Sequence, residues 1–343
     1  MKKAKSASQI KVGVVGYGGA FNMGRAHLNE MKRAGMTPVA VAEIDPTRLE
    51  AAKTDFPGIG TYKSLAVMLA KSDVNLVTII TPHNTHAKLA LQALSAGKHV
   101  VCEKPLAITT AECDAMINLA AKRRVVLSTY HNRHWDGWIL NALKHIQAGM
   151  IGEVVRIDAH VAGYGKPRDW WRSSKTISGG IMYDWGVHLL EYGLQIIDSE
   201  ITEVSGYAKC GFWADQSKWG KDTNEDEGYA VIRFKSGAYM TLLTSSIDAN
   251  PRKGLLEITG TKGSYIIDWP YNECIQHKNG DVISTKFAHP ADEGYRFYQN
   301  IADHLTKGEK LVITGEWARR PIHILDLAIQ SYKKGAAVKP KYK

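Results

Sequence analysis

Over the first 130 residues, apolar runs alternate with segments of helical pattern. "IKVGVVG", "TPVAVAE", "VNLVTIITP", "KHVVCEKP" and "VVLSTYHN" are β-branched and apolar at their centres. Between them lie "NMGRAHLNEMKRAG", "DPTRLEAAKTDF", "NTHAKLALQALSAG" and "TTAECDAMINLAAKRR". Strands this apolar leave no face for water, so the pattern calls for a parallel sheet covered by helices on both sides. The punctuation agrees. Gly35 and Gly97 stop helices, Asp45-Pro46 opens one, a threonine caps another, and Asn84 is the expected cap of the third.

Beyond residue 130 the character changes. All nine tryptophans lie from Trp135 onward. After the helical "WDGWILNALKHIQAG" come "EVVRIDAHVAG", "EVSGYAKCGFW", "EGYAVIRFKSGAYMTLLTSSID" and "GLLEITGTKGSYIID". Ser236-Gly237 and Lys262-Gly263 separate alternating runs as hairpin turns do. A chain of 343 residues is long for one core. The expected fold is therefore an α/β domain over residues 1–130 and an α+β domain with a mainly antiparallel sheet over 131–343. Two closing helices, near 293–307 and 315–334, are left to pack on either domain.

The net charge of +10 suggests a polyanion partner until it is located. Eight of those excess charges are Lys2, Lys3 and Lys5 at the start and Lys333, Lys334, Lys339, Lys341 and Lys343 at the end. The body is close to neutral and offers no basic groove for nucleic acid. No run approaches the roughly 18 apolar residues of a membrane helix, and Lys11 breaks the only signal-like start, which reads as a short disordered tail. Cys102, Cys113, Cys210 and Cys274 are scattered without CxxC spacing, as in a reducing cytoplasm.

"VGVVGYGGAFNMGRAHL" sets Gly16, Gly18 and Gly19 between the first strand and the first helix. Glycines here allow a tight turn and close backbone approach to a pyrophosphate, with the helix N-terminus pointing partial positive charge at it. Glu43, 27 positions beyond Gly16, ends the next strand, placed to accept ribose hydroxyls. A carboxylate there repels a 2′-phosphate and favours NAD; Arg48 keeps NADP open. Phe21 occupies the third fingerprint position, where Gly or Ala is usual.

"GKHVVCEKP" ends a strand on Glu103, Lys104 and Pro105, at the edge where open α/β sheets bind ligands. "IITPHNTH" brings Thr81, Pro82 and His86 to the same edge. Far downstream, "SGGIMYDWGVHLLEYG" places Asp184 and His188 four residues apart on one helical face, with Glu191 one turn on. A carboxylate, an imidazole and a second carboxylate suit a metal, but no further ligand cluster joins them, and no metal is expected.

Taken together, the glycine turn, "TPHNTH", "AGKHVVCEKP", "YHNRHWD", "GMIGEV" and "GGIMYDWGVHLLE" resemble the glucose–fructose oxidoreductase/inositol dehydrogenase (Gfo/Idh/MocA) family over nearly the whole chain. The resemblance implies a Rossmann domain followed by a domain with a large open sheet used for self-association. It implies that Lys104 and His188 serve the chemistry, that Asp184 binds a substrate hydroxyl, and that Glu103, Thr81, Pro82 and His86 line the nicotinamide end. A cis Lys104–Pro105 bond is also implied, aiming the lysine into the cleft. The sequence departs from the family pattern at Phe21, at His83, at Arg133-His134 in place of two arginines, and at Glu191 in place of an aspartate.

The chemistry expected is NAD(P)-dependent oxidation of a secondary alcohol of a sugar, an inositol-like polyol or a sugar derivative. His188 is the expected base, histidine's ordinary pKa of about 6.5 suiting it to that role. Lys104 supplies charge where alkoxide develops and is the alternative base if burial lowers its pKa. Arg133, Trp171 and Arg172 are the candidate substrate contacts. The alternative function is an NAD-bound hydrolase, lyase or epimerase that oxidises its sugar transiently without net redox.

Overall fold

The computed structural model of the chain describes residues 4–342. They form two compact units, one running to Asn132 and including Tyr295–Arg319, the other comprising Arg133–Gly294 and the residues from Arg320. Part of the expected N-terminal tail, residues 1–3, lies outside the described residues. From Ala4 onward the expectation of disorder does not hold. A 3-10 turn spans Ala7–Gln9, and the Ala4 amide donates to the Leu305 carbonyl at 3.2 Å.

In the first unit, strand and helix alternate as β1 (Lys11–Val15), α1 (Met23–Arg33), β2 (Thr37–Ala42), α2 (Pro46–Asp55), β3 (Gly60–Tyr62), α3 (Leu65–Lys71), β4 (Leu76–Ile79), α4 (His86–Ser95), β5 (His99–Cys102), α5 (Thr110–Arg123) and β6 (Leu127–Thr129). The six strands are parallel, in the order β3-β2-β1-β4-β5-β6. The centres of β1, β4 and β5 are fully buried, which is why they read as unbroken apolar runs. The order reverses between β1 and β4, and at such a switch point the carboxyl ends of the strands frame a ligand crevice. Thr109 caps α5 in a full capping box with Glu112. Asn84 is not the cap of α4. His83–Thr85 forms a 3-10 turn, α4 starts at His86, and the Thr85 hydroxyl bonds back to the Pro82 carbonyl at 2.7 Å.

The second unit contains α6 (Gly137–Gln147), β7 (Val154–Ala162), α7 (Lys175–Ser178), α8 (Trp185–Ile196), β8 (Ile201–Lys209), β9 (Glu227–Phe234), β10 (Tyr239–Ser245), β11 (Leu256–Gly260), β12 (Ser264–Ile267), β13 (Asn272–Lys278) and β14 (Asp281–Phe287). Its eight strands run β14-β13-β12-β11-β7-β10-β9-β8 and are antiparallel except for the β7–β10 pair. Both expected hairpins are present, β9–β10 and β11–β12. Helix α8 lies on β7 and β10 and comes close because it carries glycine at the contact. A Cβ on Gly193 would sit 2.4 Å from the Met240 sulfur, and one on Gly186 would sit 3.1 Å from Leu242. Of the closing helices, α9 (Arg296–Lys307) belongs to the first unit, and α10 (Gly315–Lys334) runs through the boundary at Arg319–Arg320. Among the described residues, no helix is long and apolar enough to cross a membrane.

Candidate active site

Strands β2, β1, β4 and β5 are neighbours in the first sheet, so the residues that follow them share one edge. Glu43 follows β2, the Gly16–Gly19 turn follows β1, Thr81–His83 follows β4, and Glu103–Lys104 follows β5. Gly16 has φ +99°, and a Cβ on it would lie 2.4 Å from the Ile80 carbonyl oxygen. A Cβ on Gly18 would meet nothing within 4 Å. Helix α1 begins after Asn22, which makes no side-chain cap bond, so its first amides are open to an anion. Open space at Gly18 and an uncapped helix N-terminus fit a dinucleotide pyrophosphate.

The small residue missing at Phe21 reappears at Gly24. A Cβ there would lie 2.5 Å from the Tyr17 ring and 3.0 Å from the Gly16 carbonyl oxygen. Gly24 thus provides the close helix–strand contact three residues late, and Phe21 sits in a longer loop, about half exposed. Tyr17 is anchored beneath that contact, its hydroxyl donating to Asp55 at 2.7 Å while Arg25 pairs with the same carboxylate. Burial and the Asp55 charge push the Tyr17 phenol up to about 12.

These two glycines separate folding from binding. Gly16→Ala is expected to destabilise the protein by about 1–3 kcal/mol, because alanine resists positive φ and its methyl meets a carbonyl. Gly18→Ala is expected to melt normally and to bind NADH more weakly. Thermal melts with and without NADH check both.

The predicted cofactor residues are differently employed. Glu43 holds the turn itself: Oε2 accepts the Tyr17 amide at 2.6 Å, and Oε1 accepts those of Ile44 and Asp45 at 2.6 and 3.1 Å. Arg48 clasps the same loop, donating to the Tyr17 carbonyl at 2.9 Å and to Asn22 at 3.3 Å. Thr81 and Pro82 are partly exposed at the edge. His86 is not available to line it. Its ring is fully buried, with Nδ1 2.7 Å from the Pro105 carbonyl and Nε2 2.8 Å from that of Thr81, and burial lowers its pKa. It ties the β4 loop to the β5 loop. His83 is buried beside it, ring centroids 5.6 Å apart.

Lys104 is partly exposed, and the Lys104–Pro105 bond is cis as expected. Glu103 turns inward: Oε2 accepts the Lys104 amide at 2.8 Å, and Oε1 lies 3.1 Å from His27 Nε2. Burial works to raise the Glu103 pKa, but the His27 hydrogen bond, the nearby positive charge and the Lys104 amide outweigh it and leave it below the usual carboxylate value.

In the second unit the expected residues form one continuous cluster around the start of α8. Asp184 is the residue before the helix, where its charge complements the helix dipole. It pairs with Arg172 at 2.9 Å, and the Arg172 guanidinium lies 5.3 and 5.2 Å from the Trp170 and Trp171 rings. His188, buried with only 7% of its surface exposed, sits one turn into α8, 5.7 Å from the Trp185 ring. The Arg133 guanidinium lies 5.1 Å from Trp185 and pairs with Asp136 at 3.0 Å. Asp136, which the sequence reading missed, also accepts from the Tyr192 hydroxyl at 2.6 Å, and burial raises its pKa. Two of the departures from the family pattern meet each other: His134 Nδ1 is 2.5 Å from the buried Glu191 carboxylate, which Gln195 also contacts at 2.9 Å. Among the described residues no group of three or more His, Cys, Asp or Glu side chains is arranged to hold a metal ion.

A family model described as "Oxidoreductase family, NAD-binding Rossmann fold" (GFO_IDH_MocA) matches residues 10–131, and the "GFO/IDH/MocA C-terminal domain" model matches residues 139–266. The uncharacterized oxidoreductase C115.03 of Schizosaccharomyces pombe is 35% identical over 147 residues, which is 42% of this chain but only about 40% of that relative's length. The uncharacterized oxidoreductase YdgJ of Escherichia coli is 32% identical over 76% of this chain and 71% of its own. The scyllo-inositol 2-dehydrogenase (NADP(+)) IolW of Bacillus subtilis is 29% identical over 97% of each chain. A solved structure of an NAD-binding protein from Listeria innocua matches with a TM-score of 0.82 at 27% identity, over 98% of this chain and 97% of that one.

Proposed function

The chain belongs to the Gfo/Idh/MocA family of oxidoreductases, and from that premise we propose that it oxidises a secondary alcohol of a sugar or inositol-like polyol with NAD(P). The observation that carries the reading is the shared sheet edge. The open turn at Gly18, where an added Cβ would meet nothing within 4 Å, the Glu43 carboxylate and the Glu103–Lys104 pair follow strands of one parallel sheet. Bound nicotinamide supplies the hydride acceptor.

The protein's own groups then have distinct tasks. Losing hydride from a carbinol carbon is feasible only as the hydroxyl proton leaves, and a base must take that proton. His188 is assigned that role, and Lys104 the stabilisation of the developing alkoxide. Asp184 accepts a neighbouring substrate hydroxyl while Arg172 fixes its carboxylate, and Trp171 and Arg133 border the sugar. A relative named for scyllo-inositol and NADP(+) supports a polyol substrate. Glu43 beside the glycine turn favours NAD over NADP by repelling a 2′-phosphate.

The test is a panel of inositols, sugars and sugar acids with NAD+ or NADP+, followed by absorbance of the reduced nicotinamide. Turnover of at least one member, faster with NAD+, is expected; no turnover with any would refute the reading. Self-association through the open face of the eight-stranded sheet is part of the same proposal. Exposed Tyr207 lies on the face turned away from α8, beside Tyr229 with ring centroids 6.2 Å apart, and light scattering is expected to give a mass above that of a 37.9 kDa monomer.

A further inference from the structure

Behind the Glu103–Lys104 pair lies a buried polar chain that the proposed chemistry does not yet use. His27, on α1, is 0% exposed. Its Nε2 is 3.1 Å from Glu103 Oε1, and its Nδ1 is 2.7 Å from the hydroxyl of Tyr298 on α9. The Tyr298 hydroxyl is in turn 3.2 Å from the hydroxyl of Thr78 on β4. Tyr130 holds the imidazole edge-on at 4.2 Å, and its own hydroxyl donates to both oxygens of Glu30 at 2.7 and 2.8 Å. An ionised carboxylate only accepts hydrogen bonds, so Nε2 carries a proton whenever Glu103 is charged. The other Glu103 oxygen accepts the Lys104 amide.

We propose that His27 is a positioning residue: through its Nε2–H it holds the Glu103 carboxylate, and through that carboxylate the backbone of Lys104. The consequence for turnover rests on the assignment of Lys104 to the chemistry; the positioning itself does not. Groups joined in such a chain are costly to leave half satisfied, because each is desolvated. Glu103 is faced by His27 and Glu30 from α1, Tyr298 from α9, Tyr130 after β6, His86 from α4, and Cys102 and Lys104 on its own segment. Of these, His27 makes the side-chain hydrogen bond that holds the Glu103 pKa down against burial. Removing that bond raises the pH at which the carboxylate takes up a proton.

The test compares His27→Phe, which fills the space without a donor, with His27→Gln, whose amide nitrogen reaches the Nε2 position. Protein labelled with carboxyl-¹³C glutamate is titrated by NMR in the presence of NAD+, and Glu103→Gln assigns the resonance. In His27→Phe the Glu103 midpoint is expected to rise by about one pH unit or more, and in His27→Gln to return most of the way to wild type. With a turned-over polyol, His27→Phe is expected to lose about 10–100-fold in kcat, with little change in KM for NAD+ and recovery in His27→Gln. Should His27→Phe fail to fold, His27→Asn, whose amide reaches Tyr298 but not Glu103, takes its place with the same expected rise. An unchanged Glu103 midpoint in the folded donor-less variant overturns the proposal. Because the titration needs no substrate, its result stands apart from the polyol panel: a wild-type protein that oxidises nothing sinks the dehydrogenase reading, and an unmoved carboxyl sinks the positioning role of His27.

Discussion

Replacing Lys104 by methionine is expected to lower kcat/KM for polyol oxidation by about 10²–10³-fold, the usual cost of losing one preorganised group aimed at developing negative charge. The loss follows from where the residue stands. Lys104 comes two positions after the end of β5, with its amide bonded to the Glu103 carboxylate at 2.8 Å. Its backbone is thus held in place while the residue stands partly exposed at the edge. Methionine keeps the length and apolar stem and removes only the charge, so NADH binding followed by fluorescence is expected to survive. Lys104→Arg is expected to recover only part of the rate, because a planar guanidinium does not place its charge where an ammonium does. Wild-type turnover in Lys104→Met would take the lysine out of the mechanism.

His188→Asn is expected to cost about 10²–10⁴-fold, the range for a positioned acid–base group. The residue is set one turn into α8, a helix held against Met240 and Leu242 by its glycines. A base works only while unprotonated, so wild-type kcat/KM is expected to fall on the acid side. In His188→Asn that acid limb is expected to disappear along with most of the rate. Asparagine keeps hydrogen-bonding capacity but is smaller than the buried imidazole, so a folded variant with a modestly lower melting temperature is expected. A variant that loses rate but keeps the same acid limb would assign the titration to another group.

How much of this was legible in the sequence depends on how local its cause is. β1, β4 and β5 announced themselves because burial on both faces demands unbroken apolar residues. The hairpins at Ser236-Gly237 and Lys262-Gly263 were equally plain, because turn chemistry is a property of adjacent residues. β3 was not. Gly60–Tyr62 is three residues long and only half buried, too short for a period to appear. The glycine turn lies between β1 and α1 as expected, but with Phe21 at the third fingerprint position the sequence did not show where the close contact falls. The fingerprint expects its third small residue at position 21, whereas α1 starts at Met23 and the tight contact falls on Gly24.

The site residues divide in the same way. Asp184 and His188 share a helix turn, so spacing alone groups them. His86 was taken for a lining residue because it follows Thr81 and Pro82, yet only its burial and its two carbonyl partners reveal a staple. His27 gave no signal at all. Its partners Glu103 and Tyr298 are 76 and 271 positions away, and one histidine on an amphipathic helix looks like any other. The His134–Glu191 pair, 57 positions apart, brings two departures from the family pattern into direct contact, which no local spacing reveals.

The most direct test of the account uses an isotope. The polyol with the fastest turnover in the panel, deuterated at its carbinol carbons, is incubated with NAD+ in ordinary water, and the reduced cofactor is analysed at C4 of the nicotinamide. The account predicts deuterium at C4 with wild-type protein and almost none formed in the same time by Lys104→Met or His188→Asn. Reduced cofactor carrying only protium at C4, or equal labelling by the wild type and both variants, would contradict it.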